Sequence, residues 1–403
     1  MPISRRRFVR TAALGAAGAL ASGPLAGTLA RAARAAAPPV MAPPGVFADL
    51  HFHASLRATV HETPVAVAAP VLERLAQAAF NPTGGGWEEC HRAGIDLICA
   101  VHYNPFDEAA YMAVDPSLDA PRHTLRMLDL LESELEGAAS AHARLARTPA
   151  ALARALEDRA QGRDDRVIVL HALEGGHALG GSLAPLDVLA ARGVATLTLT
   201  HFFDKGLASV GNALPFFPDA GSDWPERGLS EFGRRVIRRM EELGILLDVT
   251  HASSTALEQI FGQARRPMLA SHASARALGD HPYSLPDEHL QEIARRGGLI
   301  GVILFPYMLS NYSSLEVARE RGALADAVRT IRYLVKILGD HRQLAIGSDF
   351  SGFIVGPRDM SRLGQVGRLR EALRAEFADE GLVADIMANN ATRFLAANWG
   401  TGR

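Results

Sequence analysis

Apolar runs alternate with amphipathic segments from residue 46 to about residue 350. The runs cover 46–53, 94–103, 166–174, 194–201, 244–251, 267–272, 298–305 and 344–350. They are short and rich in Val, Ile and Leu, the composition of strands covered on both faces in a parallel sheet. Between them, apolar positions recur at helical spacing. Leu229, Phe232, Val236, Met240 and Leu243 fall on one helix face. Thr255 with Glu258 has capping-box spacing ahead of Ile260 and Phe261. Ser284-Leu-Pro-Asp-Glu288 offers a cap, an early proline and early acids. Eight strands, each followed by helix, predict an α/β fold of the (β/α)8 TIM-barrel type, with its active site at the C-terminal strand ends. The stretch 104–165 is longer than one crossover needs. It reads as a loop from Asn104 to Pro121 followed by a helical hairpin.

The polar residues of five runs sit at the C-terminal end. The first ends on His51 and His53, the third on Glu174, the fifth on His251, the sixth on His272 and the eighth on Asp349. A charged group at the end of a buried strand needs a cation, a metal or water as partner. Any one histidine is more often a surface or satisfied core residue than a ligand. Five runs ending alike form a pattern that core packing does not explain. Residues 51 and 53 point the same way along a strand, so both imidazoles can reach one metal. The two oxygens of Glu174 can bridge two cations, and Asp349 can accept a proton from an attacking water. Imidazole and carboxylate without thiolate suit zinc first, with other divalent metals as alternatives. His61, His91, His123, His142, His289 and His341 fall in loops or helices and receive no role. His102, His171 and His177 lie in or near the second and third runs and are read as structural supports.

Length and composition bound the picture. With 403 residues, 48% hydrophobic and 21% charged, the chain can bury one large core. Residues 1–48 carry six arginines and no acid, leaving 36 basic against 44 acidic residues beyond them. That balance argues against nucleic acid or an anionic membrane as partner. Ser4-Arg5-Arg6-Arg7-Phe8 is a twin-arginine pattern, followed by an Ala/Gly/Leu run and small-residue sites such as Ala35-Ala36-Ala37. Residues 1–37 are therefore expected to be a cleaved export signal, 44–403 a single barrel domain, and the location periplasmic or extracellular. After cleavage no stable membrane span is expected. Cys90 and Cys99 are the only cysteines. In an oxidising compartment they could pair, and Cys99 also fits a buried strand position.

Several stretches carry a family resemblance. They are Leu173-Glu-Gly-Gly-His177 with Ser182, Thr196-Leu-Thr-Leu-Thr-His201, Gly228-Leu-Ser-Glu-Phe-Gly233, Leu247-Asp-Val-Thr-His-Ala-Ser253, Ala270-Ser-His-Ala-Ser-Ala-Arg-Ala277 and Gly347-Ser-Asp-Phe350. In order and spacing the chain resembles the membrane (renal) dipeptidase family, peptidase family M19, of the amidohydrolase superfamily. The resemblance implies a binuclear zinc site bridged by Glu174, one ion on His51 and His53, the other on His251 and His272. It implies that His201 contacts the substrate and polarises the scissile carbonyl, and that Asp349 shuttles the proton. It implies a dipeptide-like small-molecule substrate and, by analogy, a homodimer. Two positions depart from the family pattern. The first run has His-x-His where the family has His-x-Asp, and Tyr283 stands where the family has an arginine that grips the substrate's carboxylate. The function expected is metal-dependent hydrolysis of a peptide or amide bond. The rivals are a barrel hydrolase acting on a lactone, cyclic amide or phosphoester, and a binding protein with a degenerate metal site.

The export reading is checked directly. Replacing Arg5, Arg6 and Arg7 together with lysine is expected to hold the precursor in the cytoplasm on cell fractionation, and undiminished periplasmic protein would refute it.

Overall fold

The computed structural model describes residues 47–54, 86–104, 107–108, 119–204, 206–211 and 227–400. The twin-arginine segment, the first residues of the expected domain and most of 105–118 lie outside them. Nine strands are described: β1 (Phe47–Phe52), β2 (Ile95–His102), β3 (Ala143–Leu145), β4 (Val167–Glu174), β5 (Val194–Thr198), β6 (Leu246–Asp248), β7 (Leu269–Ala273), β8 (Leu299–Val302) and β9 (Leu344–Ile346). They pair in parallel in the order β2-β1-β9-β8-β7-β6-β5-β4, and β2 pairs with β4 to close the ring. This is the (β/α)8 barrel, and each of the eight apolar runs supplies one of its strands. Every residue of β1, β2 and β4 is buried, because barrel interior and helical ring cover opposite faces of the same strand.

The segment 104–165 differs from expectation. Its two helices, Ala120–Glu136 and Pro149–Ala160, are present, but β3 lies between them. β3 pairs with Val167–Val169 of β4, and β2 holds the other edge of Ile168 and Val169. β3 therefore occupies the edge that β5 takes over from His171 onward. Three residues are too few for their pattern to announce a strand. Two helix starts also shift. Ser253, not Thr255, caps the helix Ser254–Gln263 by accepting from the Ala256 amide at 3.1 Å. Ser284 caps nothing and instead bonds the Ser274 hydroxyl at 2.8 Å, while the helix begins at Asp287. Cys90 and Cys99 are both buried and form no disulfide. No described helix is long and apolar enough to cross a membrane.

One local irregularity positions the site. The register between β7 and β8 shifts between Ala270 and Ala273, and the Ser271 carbonyl leans toward β8 and the end of β9. A Cβ at Gly301 would lie 1.9 Å from that oxygen, and one at Gly347 would lie 1.8 Å from it. Only glycine leaves room for this approach. Gly347→Ala is expected to lower stability by on the order of 1–3 kcal/mol through overpacking, read as a drop in Tm. Gly262→Ala, where a Cβ meets nothing within 4 Å, serves as the control. Equal melting of both variants would remove this constraint on β7.

Candidate active site

The strand ends converge on one buried carboxylate. Alternation along β1 puts Asp49, His51 and His53 on one side, and Glu174 ends β4. Glu174 Oε1 lies 3.4 Å from His51 Nε2, 3.3 Å from His251 Nε2, 3.6 Å from His272 Nε2 and 3.7 Å from His201 Nε2. Its Oε2 lies 3.6 Å from His53 Nε2. Asp349 Oδ1 is 3.1 Å from His53 Nε2 and 3.9 Å from His51 Nε2. Burial pushes the Glu174 carboxyl up, but the facing imidazoles of His201, His51 and His251 hold it well below the usual carboxylate range. All seven residues expected from the strand ends and from the family motifs thus meet at one place.

The donor set fits a divalent metal. His51 Nε2 and Glu174 Oε2 are buried with no hydrogen-bond partner, and such atoms are rarely left so without a ligand to satisfy them. His251 Nε2 and His272 Nε2 face each other at 2.9 Å while both face Glu174. His51, His53 and Glu174 form one group with ligand atoms close enough to share an ion, Glu174, His251 and His272 form a second, and His51, His272 and Asp349 form a third. These are oxygen and imidazole donors of the kind that divalent transition metals take.

Two of the side chains are held by unusual backbone. His251 has φ 68° and Asp349 has φ 60°, both in the left-handed region. Such conformations cost of order 1–3 kcal/mol and persist only when the surroundings fix them. Here the His251 carbonyl accepts from the Gly211 amide at 2.8 Å, and the Asp349 amide donates to the His51 carbonyl at 2.9 Å.

Several contributors carry no sequence signal. Glu108, in the stretch read as loop, is buried behind His201. Its Oε2 pairs with His201 Nδ1 at 2.9 Å and accepts from the Tyr103 hydroxyl at 2.7 Å. Its Oε1 accepts from the amides of Phe202 and Phe203 at 2.9 and 3.1 Å. Burial pushes the Glu108 carboxyl up, yet His201, His177 and these bonds bring it down to about 2. Burial lowers the His201 imidazole, but the carboxylates of Glu174 and Glu108 outweigh it, and the net shift is upward. A lone Glu in an aperiodic stretch gives no hint of this role. His281 is the other contributor. With Tyr283 it lines the cleft in front of Glu174, and the two rings stack at 5.5 Å. The Tyr283 ring also meets His251 edge-on at 4.9 Å. The apolar lining of the cleft comes from Phe202, Ile303, Phe305, Met308, Phe353 and Ile354. Of the histidines read as supports, His102 Nε2 bonds His171 Nδ1 at 2.9 Å, and His171 Nε2 bonds Glu132 at 3.1 Å.

Comparison with known proteins agrees with this geometry. Dipeptidase aclJ of Aspergillus oryzae is 30% identical over 220 residues, covering 55% of this chain and 48% of that protein. The chain spans about half the length of the curated relatives it matches. The fold is shared with the probable dipeptidase PvdM from Pseudomonas aeruginosa, at TM-score 0.65 and 21% identity over 80% of this chain and 91% of that one. It is shared equally with a metallo peptidase from Rhodobacter sphaeroides liganded with a phosphinate mimic of the dipeptide L-Ala-D-Ala, at TM-score 0.65 and 20% identity over 89% and 100%. The model of the membrane dipeptidase family matches residues 103–398. By that match, which runs from the end of β2 through the last helix, Asn390–Asn398, the chain belongs to the membrane dipeptidase family, peptidase family M19.

Proposed function

We propose that this chain is an exported, zinc-dependent hydrolase that cleaves a peptide or amide bond. The observation that carries the reading is the single buried carboxylate of Glu174 faced by five imidazoles at the mouth of a cleft. His51 and His53 would hold one ion, His251 and His272 the other, with Glu174 between them. When bound, such ions polarise a carbonyl and bring the pKa of water down to about 7. His201, whose imidazole is shifted upward by the carboxylates of Glu174 and Glu108, pairs with Glu108 through Nδ1 and would meet the carbonyl oxygen through Nε2 as negative charge develops. Asp349 takes the proton of the attacking water and delivers it to the leaving amine nitrogen. The phenylalanines and isoleucines around the cleft exclude bulk water and so strengthen both interactions. The twin-arginine pattern supports export, and the expected domain boundaries near 37 and 44 go with it.

The cleft also bears on substrate choice. No lysine or arginine is among its described lining residues. Arg276 donates Nε–H to the Ser284 carbonyl at 3.1 Å, so it is engaged elsewhere. His281 is neutral near pH 7, because burial pushes it down to about 4, and its Nδ1 accepts from the Tyr283 amide at 3.3 Å. Neutral donors and apolar rings suit an uncharged substrate end better than a free carboxylate. The same wall would take a lactone or cyclic amide, and a panel of dipeptides, their amides, N-acyl amino acids and lactones separates these.

Glu174→Gln removes the negative charge between two dications and is expected to lose at least one metal while the barrel stays folded, by elemental analysis and circular dichroism. Full metal content at the unmodified rate would show that Glu174 is not a ligand. Tyr283→Arg is expected to raise kcat/KM for a free dipeptide relative to its C-terminal amide by ~10–100-fold, the value of one charge-assisted contact. If the unmodified enzyme already prefers the free acid strongly, this account of specificity fails.

A further inference from the structure

Beneath the imidazoles lies a second buried carboxylate, Asp248, at the end of β6. It collects five donors. Oδ2 accepts from the hydroxyls of Thr198 at 2.7 Å and Ser271 at 2.6 Å. Oδ1 accepts from the Thr250 hydroxyl at 2.8 Å and from the amides of Thr250 and Ser271 at 3.1 and 3.0 Å. An ionised carboxylate has only lone pairs to offer, so the single proton of the Ser271 hydroxyl is committed to it. The Ser271 oxygen keeps two lone pairs. His51 Nδ1 lies 3.0 Å from it and His272 Nδ1 lies 2.9 Å from it. Both ring nitrogens must therefore carry a proton and donate, and Nε2 is the atom that each imidazole turns toward Glu174.

We propose that the Ser271 hydroxyl is a positioning group that fixes the tautomers of His51 and His272 together, and so couples the two halves of the metal site. The inference rests on the metal-binding reading above. His51 comes from β1 and His272 from β7, and in the reading above they hold different ions, although their ring nitrogens also lie close enough to form a group with Asp349. One hydroxyl serving both means that its loss frees two ligands at once. A histidine that ligates a metal needs its other nitrogen held as N–H, and removing such a partner typically costs 10–100-fold in affinity.

The test is cobalt(II) titration of metal-free full-length protein, read by visible absorbance. The unmodified protein is expected to take up two ions. Ser271→Ala, with folding checked by circular dichroism, is expected to weaken both binding steps by about 10–100-fold. Weakening of only one step would overturn the coupling, since a disturbance of β7 alone reaches only the half that contains His272. Unchanged affinity at both steps would overturn the role of the hydroxyl. A second readout needs no variant. In the cobalt-loaded protein at least two hyperfine-shifted N–H proton signals should persist in D2O, from Nδ1 of His51 and of His272, and fewer than two would also overturn it. If the unmodified protein binds no cobalt at all, the metal reading itself fails.

Discussion

A carboxylate at the end of a fully buried strand is the constraint on which the rest depends. Taking an ion of that size out of water costs several kcal/mol even after the protein relaxes around it. Glu174 is 2% exposed, so positive partners must come to it. A closed barrel supplies them from every side, because its C-terminal strand ends point into one mouth. β1, β7 and the segments after β5 and β6 bring the imidazoles, and the segment after β9 brings Asp349. An imidazole compensates a carboxylate when it carries a proton and offers a lone pair to a cation when it does not, which suits His51, His53, His251 and His272 to the place beside Glu174.

Precision then has to come from beneath. Two aspartates do this in parallel ways. Asp49 accepts from the amide and hydroxyl of Ser348 at 2.8 and 2.5 Å and from the amide of His51 two residues on at 3.1 Å. Asp248 accepts from the amide and hydroxyl of Ser271 and from the amide of Thr250, again two residues on. In each case a strand-end carboxylate grips the serine of another strand-end segment, and the residue after that serine belongs to the site: Asp349 in one, His272 in the other. Burial raises the Asp49 carboxyl to about 6 against the bonds from Ser348 that pull it down. These clamps fix backbone as well as side chains, so residues such as Asp349 can be held at a positive φ.

What the sequence made legible follows from what burial on both faces does to composition. Eight apolar runs are visible because each strand is packed between interior and helices, and the metal-type residues are visible because they break those runs at one end. β3 is not visible, since three residues show no period. Glu108 and His281 are hidden for a different reason. Their importance comes from where irregular segments cross the cleft, and no local pattern encodes that. Ser271 stands in a recognisable motif beside His272, yet its two lone pairs acquire meaning only when β1 and β6 are beside it. The left-handed conformations of His251 and Asp349 are likewise set by tertiary hydrogen bonds and by no neighbouring glycine or turn signal.

The two departures from the family pattern act on different quantities. His53 in place of aspartate removes a negative charge from the mouth, so an anionic substrate end is attracted more strongly, an effect that does not depend on its orientation. Tyr283 in place of arginine removes the paired donors that would fix that end at one angle. In the proposed mechanism the scissile carbonyl has to align with His201 and the attacking water, and small misplacements are costly. Attraction without orientation raises occupancy and leaves the reacting atoms misaligned. An uncharged end against Tyr283, His281 and the apolar wall loses the attraction but gains contact area that does fix its position. The balance of the cleft therefore lies with orientation.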